Sequence, residues 1–138
     1  LNVKKQIIMG LIDKLAYVAT MVIVFSMSTC SAQDFVSNDD FKNTIAKDIV
    51  AVEFWAEWNS ANEFKDLINL KDCEVYRVDI SSNMDTQIKY NVSAIPTVIV
   101  FENGTEQARF NANIMFKLEA DKKLVQHSVD TLILNKFQ

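Results

Sequence analysis

The chain has 138 residues, 49% hydrophobic and 23% charged, with two glycines and one proline; this fits one compact domain and excludes collagen, low-complexity linkers and disorder. Gly10 and Gly104 stand far apart, so no glycine-rich loop is available to cradle a phosphate. Fourteen basic against eighteen acidic residues give a net charge of −4, the wrong sign for a nucleic-acid partner, whose binding begins with phosphate neutralisation.

Lys4, Lys5 and Lys14 precede the apolar run Leu15–Met27, which is followed by the small residues Ser28 to Ala32. Basic, apolar and small in that order is the pattern of a secretory signal. The run is shorter than the roughly 18 residues of a spanning helix, although its Ser/Thr flank extends it to a tilted anchor in an alternative reading. Cys30 is a candidate lipid acceptor, and cleavage after Ala32 is the competing outcome, since Cys30 and Ala32 are both small and suitably spaced. The expected organisation is therefore a targeting segment over 1–32 and a domain over 33–138, exported to a bacterial envelope as a periplasmic or membrane-anchored protein. Only the first segment would touch the membrane. The domain then keeps one cysteine, Cys73, which cannot close a disulfide within its own chain.

A short first strand is allowed around 33–36. Ser37 opens a Ser-x-x-Asp start with Phe41 and Ile45 four apart, which predicts a short amphipathic helix. Ile49–Trp55 is a continuous apolar, β-branched run with one charge, Glu53, and reads as a strand covered on both faces. Ser60-Ala61-Asn62-Glu63 reads as a capping box that opens a helix bearing Phe64, Leu67 and Ile68 on one face, with Asn59 an equally good N-cap. Cys73–Ile80 reads as a second long strand, and Ser82–Tyr90 as a helix stopped by a left-handed Asn91. Thr97–Phe101 and Thr105–Phe110 flank Asn103-Gly104, a strong hairpin signal. The last helix runs from about Asp121 to Lys136, with Val125, Val129, Leu132 and Ile133 on one stripe. His127 points away from that stripe and has no second histidine or cysteine pair near it, so no metal and no cofactor are expected. Parallel β-α-β units followed by an antiparallel hairpin give an α/β sandwich, with helices on both faces of a mixed sheet of four to five strands. The pattern sets no oligomeric state.

Glu53-Phe54-Trp55-Ala56-Glu57-Trp58, Val78-Asp79-Ile80, Lys89 to Thr97 around Ala94-Ile95-Pro96, and Phe101-Glu102-Asn103-Gly104 together resemble the thioredoxin family over residues 35–137, nearly all of the expected mature chain. The resemblance implies a thioredoxin-like three-layer sandwich; a fold by itself fixes no activity. The family's redox motif is Trp-Cys-Gly-Pro-Cys, whose first thiol is acidified at a helix N-terminus. Here the same stretch is Trp58-Asn59-Ser60-Ala61-Asn62. Amides can neither attack nor form a disulfide, so Asn59 and Asn62 mark degenerate redox positions and no catalytic residue is expected. They serve either as caps of a helix start or, with Ser60, as a polar binding loop.

By position, the resemblance makes Glu53 the family's buried acid, without the cysteine that would receive its proton; an amine such as Arg77 or Lys65 is its expected partner. It also makes Pro96 the family's cis-proline, beside which the backbone of the family pairs with an extended substrate peptide. Trp58, Asn59, Ser60, Ala94, Ile95 and Pro96 are accordingly candidates for capture of a polypeptide partner by strand addition. Residues 111–120 form a turn longer than the family's and rich in apolar side chains. Ile114, Phe116 and Leu118 are expected to tuck under the sheet edge as a satellite core, or else to form an exposed partner surface on the side of the proline loop. Cys73, between Asp72 and Glu74, is expected to be an inert thiol, because neighbouring acids disfavour the thiolate. Three functions are consistent with this pattern: a redox-inactive binding module, an oxidoreductase working through Cys73 or a partner's cysteines, and a structural spacer.

Overall fold

The computed structural model describes residues 34–138; the expected targeting segment over 1–32 and the candidate acceptor Cys30 lie outside the described residues. Ser37 caps helix α1 (Asn38–Ile45), its hydroxyl accepting from the Asp40 N–H, and Phe41, Thr44 and Ile45 are buried. Strand β1 (Ile49–Trp55) follows, buried along nearly its whole length. Two 3-10 segments, Glu57–Asn62 and Leu67–Asn69, lead to β2 (Glu74–Asp79). Helix α2 (Met84–Lys89) ends where Asn91 turns left-handed at φ 51°. The hairpin of β3 (Thr97–Glu102) and β4 (Thr105–Asn111) turns through Asn103 (φ 49°) and Gly104 (φ 83°), as a two-residue turn with both centres at positive φ demands. Helix α3 (Lys122–Asn135) is capped by Asp121, whose carboxylate accepts from the Leu124 N–H.

The sheet order is β2-β1-β3-β4, with β1 parallel to β2 and antiparallel to β3. The first strand expected at 33–36 is reduced to a single bridge, Phe35 to Arg77. One face of the sheet packs Phe54, Ile99 and Phe101 with Phe41 and Ile45 of α1. The other packs Ala51, Val98 and Val100 with Val125, Val129 and Leu132 of α3. The continuous apolar runs of β1 and β3 thus answer to two covered faces. Among the described residues no helix is long and apolar enough to cross a membrane.

The helix expected to open at Ser60 is absent. Asn59 departs from helical geometry (φ −113°, ψ 20°) and Glu63 is extended (φ −56°, ψ 151°). The physical reason is competition for one donor. In an α-helix the Phe64 N–H would donate to the Ser60 carbonyl four residues back; here it donates to the buried Glu53 carboxylate at 2.7 Å. A charge-assisted bond inside the core outcompetes an ordinary helical one, and the segment stays as short 3-10 turns, with Ile68 exposed.

Candidate functional site

Register brings three separate segments to one end of the sheet. Phe54 pairs with Thr97 and Thr97 with Asn111, so the exit of β1, the entry of β3 and the exit of β4 adjoin. From these ends project Trp58 to Asn62, Ser93 to Pro96, and the 112–118 turn, which is closed at its base by a bridge between Ala112 and Leu118. The Ile95–Pro96 peptide bond is cis.

Asn59 ties the three together. It is buried, and its Nδ2 donates to the carbonyl oxygens of Ile95 and Phe116, each at 3.0 Å, while its Oδ1 accepts from Asn62 Nδ2 at 2.8 Å. Neither amide side chain caps a helix; they bond to each other and, through Asn59, to two loop carbonyls. All the hydrogen-bonding directions of Asn59 but one acceptor lone pair are in use. Ser60 is exposed, and its carbonyl accepts from the Glu63 N–H. The Ile95 carbonyl therefore already has a partner within the chain, which takes one of its two lone pairs.

Above this brace lies an aromatic pair. The Trp58 and Phe116 rings meet edge to face at 5.3 Å between centroids, a favourable quadrupole arrangement. Both remain open to solvent, Trp58 at 66% and Phe116 at 45%, and beside them Ile114 is 97% exposed. The satellite-core expectation fails for Ile114 and Phe116. Their turn is pinned by polar bonds to Asn113, whose Oδ1 accepts from the Met115 and Lys117 N–H groups, and this geometry turns the tip outward; Leu118 alone packs against the core. A cleft of about 130 Å³ opens between Trp58, Phe116, Ile80 and the buried Ile95. That is below the roughly 300 Å³ at which small-molecule pockets begin. Gln87 and Ser93 connect it to a broader, shallow depression bordered by Met84 and Ile88.

Glu53 lies beneath the loop, fully buried. Its Oε2 accepts from Arg77 Nε at 2.9 Å and Nη2 at 2.7 Å, and its Oε1 from the Phe64 N–H. Arg77, its cross-strand partner, also reaches Glu63 at 3.2 Å and lies over the Trp55 ring. Of the two expected amines, the partner is Arg77 and not Lys65. Burial pushes the Glu53 carboxyl above its ordinary value; the Phe64 N–H and the Arg77 charge oppose that rise. Both oxygens of Glu53 are engaged, and its bond to the Phe64 N–H fixes the segment that follows Asn62.

Cys73 is the free cysteine among the described residues. It sits just before β2, whose residues Glu74 and Asp79 pair with Val50 and Trp55 of β1, so it lies at the end of the strand pair opposite the loop that carries Asn59. Burial first, then Asp72 and Asp130, raise its thiol to about 11. Desolvation comes first, the sequence neighbour Asp72 next and Asp130 of α3 after it, while the other neighbour, Glu74, does not contribute.

Among the described residues no cluster of histidine, cysteine and acids is arranged to hold a metal. The buried Asn59 brace was the feature that sequence reasoning missed. An amide at a position otherwise held by a thiol was its one signal, and its two carbonyl partners lie 36 and 57 residues further along the chain.

Residues 33–124 match the family model for thioredoxin. The thioredoxin of Mycoplasma genitalium is 34% identical over 46% of this chain and 69% of that protein; the thioredoxin of Chlamydia trachomatis is 32% identical over 54% and 78%. Among solved structures, a single-site mutant of the thioredoxin from Halobacterium salinarum superposes with a TM-score of 0.60 at 15% identity, covering 72% of this chain and 88% of that one. Thioredoxin from Malassezia sympodialis gives 0.57 at 22% identity, covering 73% and 90%. With the fold, the cis-proline loop and this match in place, the chain belongs to the thioredoxin family.

Proposed function

We propose that this domain is a redox-inactive member of its family, exported to a bacterial envelope, where it binds an extended polypeptide through the face formed by Trp58, Ile114, Met115 and Phe116 beside Pro96. Family membership gives the chain a thioredoxin-related function; the finer reading rests on one observation. The two redox positions hold amides that bond to each other, and the Cys73 thiol, raised to about 11, lies at the far end of the sheet. At neutral pH such a thiol is thiolate in only about one molecule in ten thousand.

Exposed aromatic and thioether side chains around a shallow groove suit a polypeptide better than a compact metabolite. The envelope placement is supported by the basic, apolar and small pattern over residues 4–32. The binding test uses the purified chain and a carboxymethylated, permanently unfolded polypeptide as probe. Trp58→Ala and Phe116→Ala are each expected to weaken binding about tenfold, as aromatic anchors do. Cys73→Ser should leave it unchanged. Binding indifferent to both aromatic substitutions refutes the face, and loss on Cys73→Ser favours the oxidoreductase alternative. No binding by any of the proteins leaves the structural-spacer reading in its place.

A further inference from the structure

The geometry points to a lid: residues 113–118 are clasped shut over the Ile95 carbonyl by the Asn59 side chain, and release of the clasp bares a backbone acceptor next to Pro96 for an incoming extended polypeptide. The admission of a polypeptide rests on the function proposed above; the clasp does not.

Three observations carry the inference. First, the donors of Asn59 are fixed and fully spent. Asn62 Nδ2 holds Asn59 Oδ1, so the amide is oriented with its NH₂ toward Ile95 and Phe116, and each N–H serves one carbonyl. One side chain thus joins the proline loop to the turn above it. Second, the turn is a self-contained unit. Asn113 organises it from within, donating its own N–H to the Lys117 carbonyl and accepting from the N–H groups of Met115, Phe116 and Lys117, with the Ala112–Leu118 bridge as its base. These bonds are local and solvent-exposed, so they are lost together when the turn comes away. Third, little else holds its tip down. Ile114, Met115 and Phe116 are largely exposed, and apart from the Asn59 bond the tip rests on the edge of the Trp58 ring. Few buried apolar contacts mark a segment that opens at low cost. Phe116 is moreover held at φ 56°, a left-handed conformation that a side-chain-bearing residue adopts reluctantly, so opening relieves strain.

What the clasp covers fits an extended chain. The Ile95 carbonyl precedes the strand β3, and an acceptor at a strand entrance is what a peptide backbone N–H engages in β-augmentation. With Asn59 in place that acceptor already holds one hydrogen bond, which an incoming N–H must displace or share, while the outer aromatic face is open. The lid therefore separates a resting surface, read through side chains, from an opened one, read through backbone.

Asn59→Asp keeps the shape of the side chain but removes both donors and sets carboxylate oxygen against two carbonyl oxygens; Asn59→Ala removes the donors without the repulsion and covers a failure of the first variant to fold. In the full chain, amide hydrogen exchange at Asn113, Met115, Phe116 and Lys117 is expected to rise about tenfold or more in either variant, with the β1 and β3 amides as slow as before. The carboxymethylated polypeptide should bind the variants about tenfold more tightly than the parent. Unchanged exchange in the turn overturns the clasp, and equal binding by parent and variants overturns the lid. Faster exchange with binding by neither parent nor variants supports the clasp and refutes the binding reading instead, which keeps the two failures apart.

Discussion

Replacing Arg77 by Met tests the buried ion pair that sets the loop, since the thioether keeps most of the side-chain volume and removes only the charge and the donors. In the parent, Glu53 is fully buried and Arg77 nearly so, and the guanidinium gives Oε2 two hydrogen bonds at 2.9 and 2.7 Å. Charge-assisted bonds of this kind contribute about 1.5–3 kcal/mol each. Stripping one partner from a buried pair costs about 3–5 kcal/mol, because the other charge is left in low dielectric. The Arg77–Glu63 contact, at 3.2 Å with Glu63 partly exposed, adds at most about 1 kcal/mol. A loss of about 4 kcal/mol is a large share of the about 5–15 kcal/mol that holds an ordinary domain together. With a urea slope of about 2 kcal/mol/M, it lowers the unfolding midpoint by about 2 M.

The same variant carries a pH signature. The Glu53 carboxyl of the folded parent lies above its ordinary 4.5 because of burial, and loss of the guanidinium raises it further. Between the unfolded and folded values the folded state holds more protons, so this group's contribution to stability falls as pH rises through that window. The deficit of Arg77→Met should therefore be largest near pH 7 and shrink toward pH 4, where the acid is protonated and has no need of a counter-charge. Pairing it with Glu53→Leu should recover much of the loss, since an apolar pair replaces the ion pair without leaving an orphan. A deficit below about 1 kcal/mol at pH 7, or one independent of pH, would refute the picture of a desolvated pair.

Cys73 alkylation should be slow at pH 7 and accelerate about tenfold per pH unit up to a midpoint near 11; a plateau reached by pH 9, followed by iodoacetamide trapping and mass spectrometry, would show an ordinary or activated thiol. Gly104→Ala places a Cβ 3.8 Å from the Ala46 Cα, an ordinary contact, so only the left-handed backbone at φ 83° resists it. The expected cost is about 1–2 kcal/mol, or a fall in Tm of about 4–16 °C for a domain of this size; a loss several times larger would mean that the turn tolerates no side chain.

How far the sequence carried the structure depended on the range of the forces involved. Strand β1 was legible residue for residue at Ile49–Trp55, because burial on both faces writes an unbroken apolar run. The Asn103-Gly104 turn, the Ser37 and Asp121 caps and the stop at Asn91 are likewise local devices and lie where their residue types imply. The failures are long-range. The Ser60 capping box is a sound local signal, yet the helix it announces is undone by Glu53, which takes the Phe64 N–H from a strand upstream of the box. Glu53 could be seen to need a cation, but only the parallel register of β1 with β2 selects Arg77 over Lys65. The Asn59 brace depends on carbonyls of Ile95 and Phe116, and carbonyls have no sequence signature at all. For Ile114 and Phe116 the sequence left a satellite core and an exposed surface both open; the polar frame that Asn113 builds beneath them holds them in solvent.

The central claim, that the scaffold persists without its redox chemistry, is tested most directly by disulfide reduction. The purified chain is assayed on an intermolecular-disulfide substrate with dithiothreitol as terminal reductant, beside Cys73→Ser and an ordinary thioredoxin. The account predicts no rate above the uncatalysed background for either form of this chain, with the ordinary thioredoxin active. Turnover by the parent that disappears in Cys73→Ser would contradict it and make Cys73 a working nucleophile.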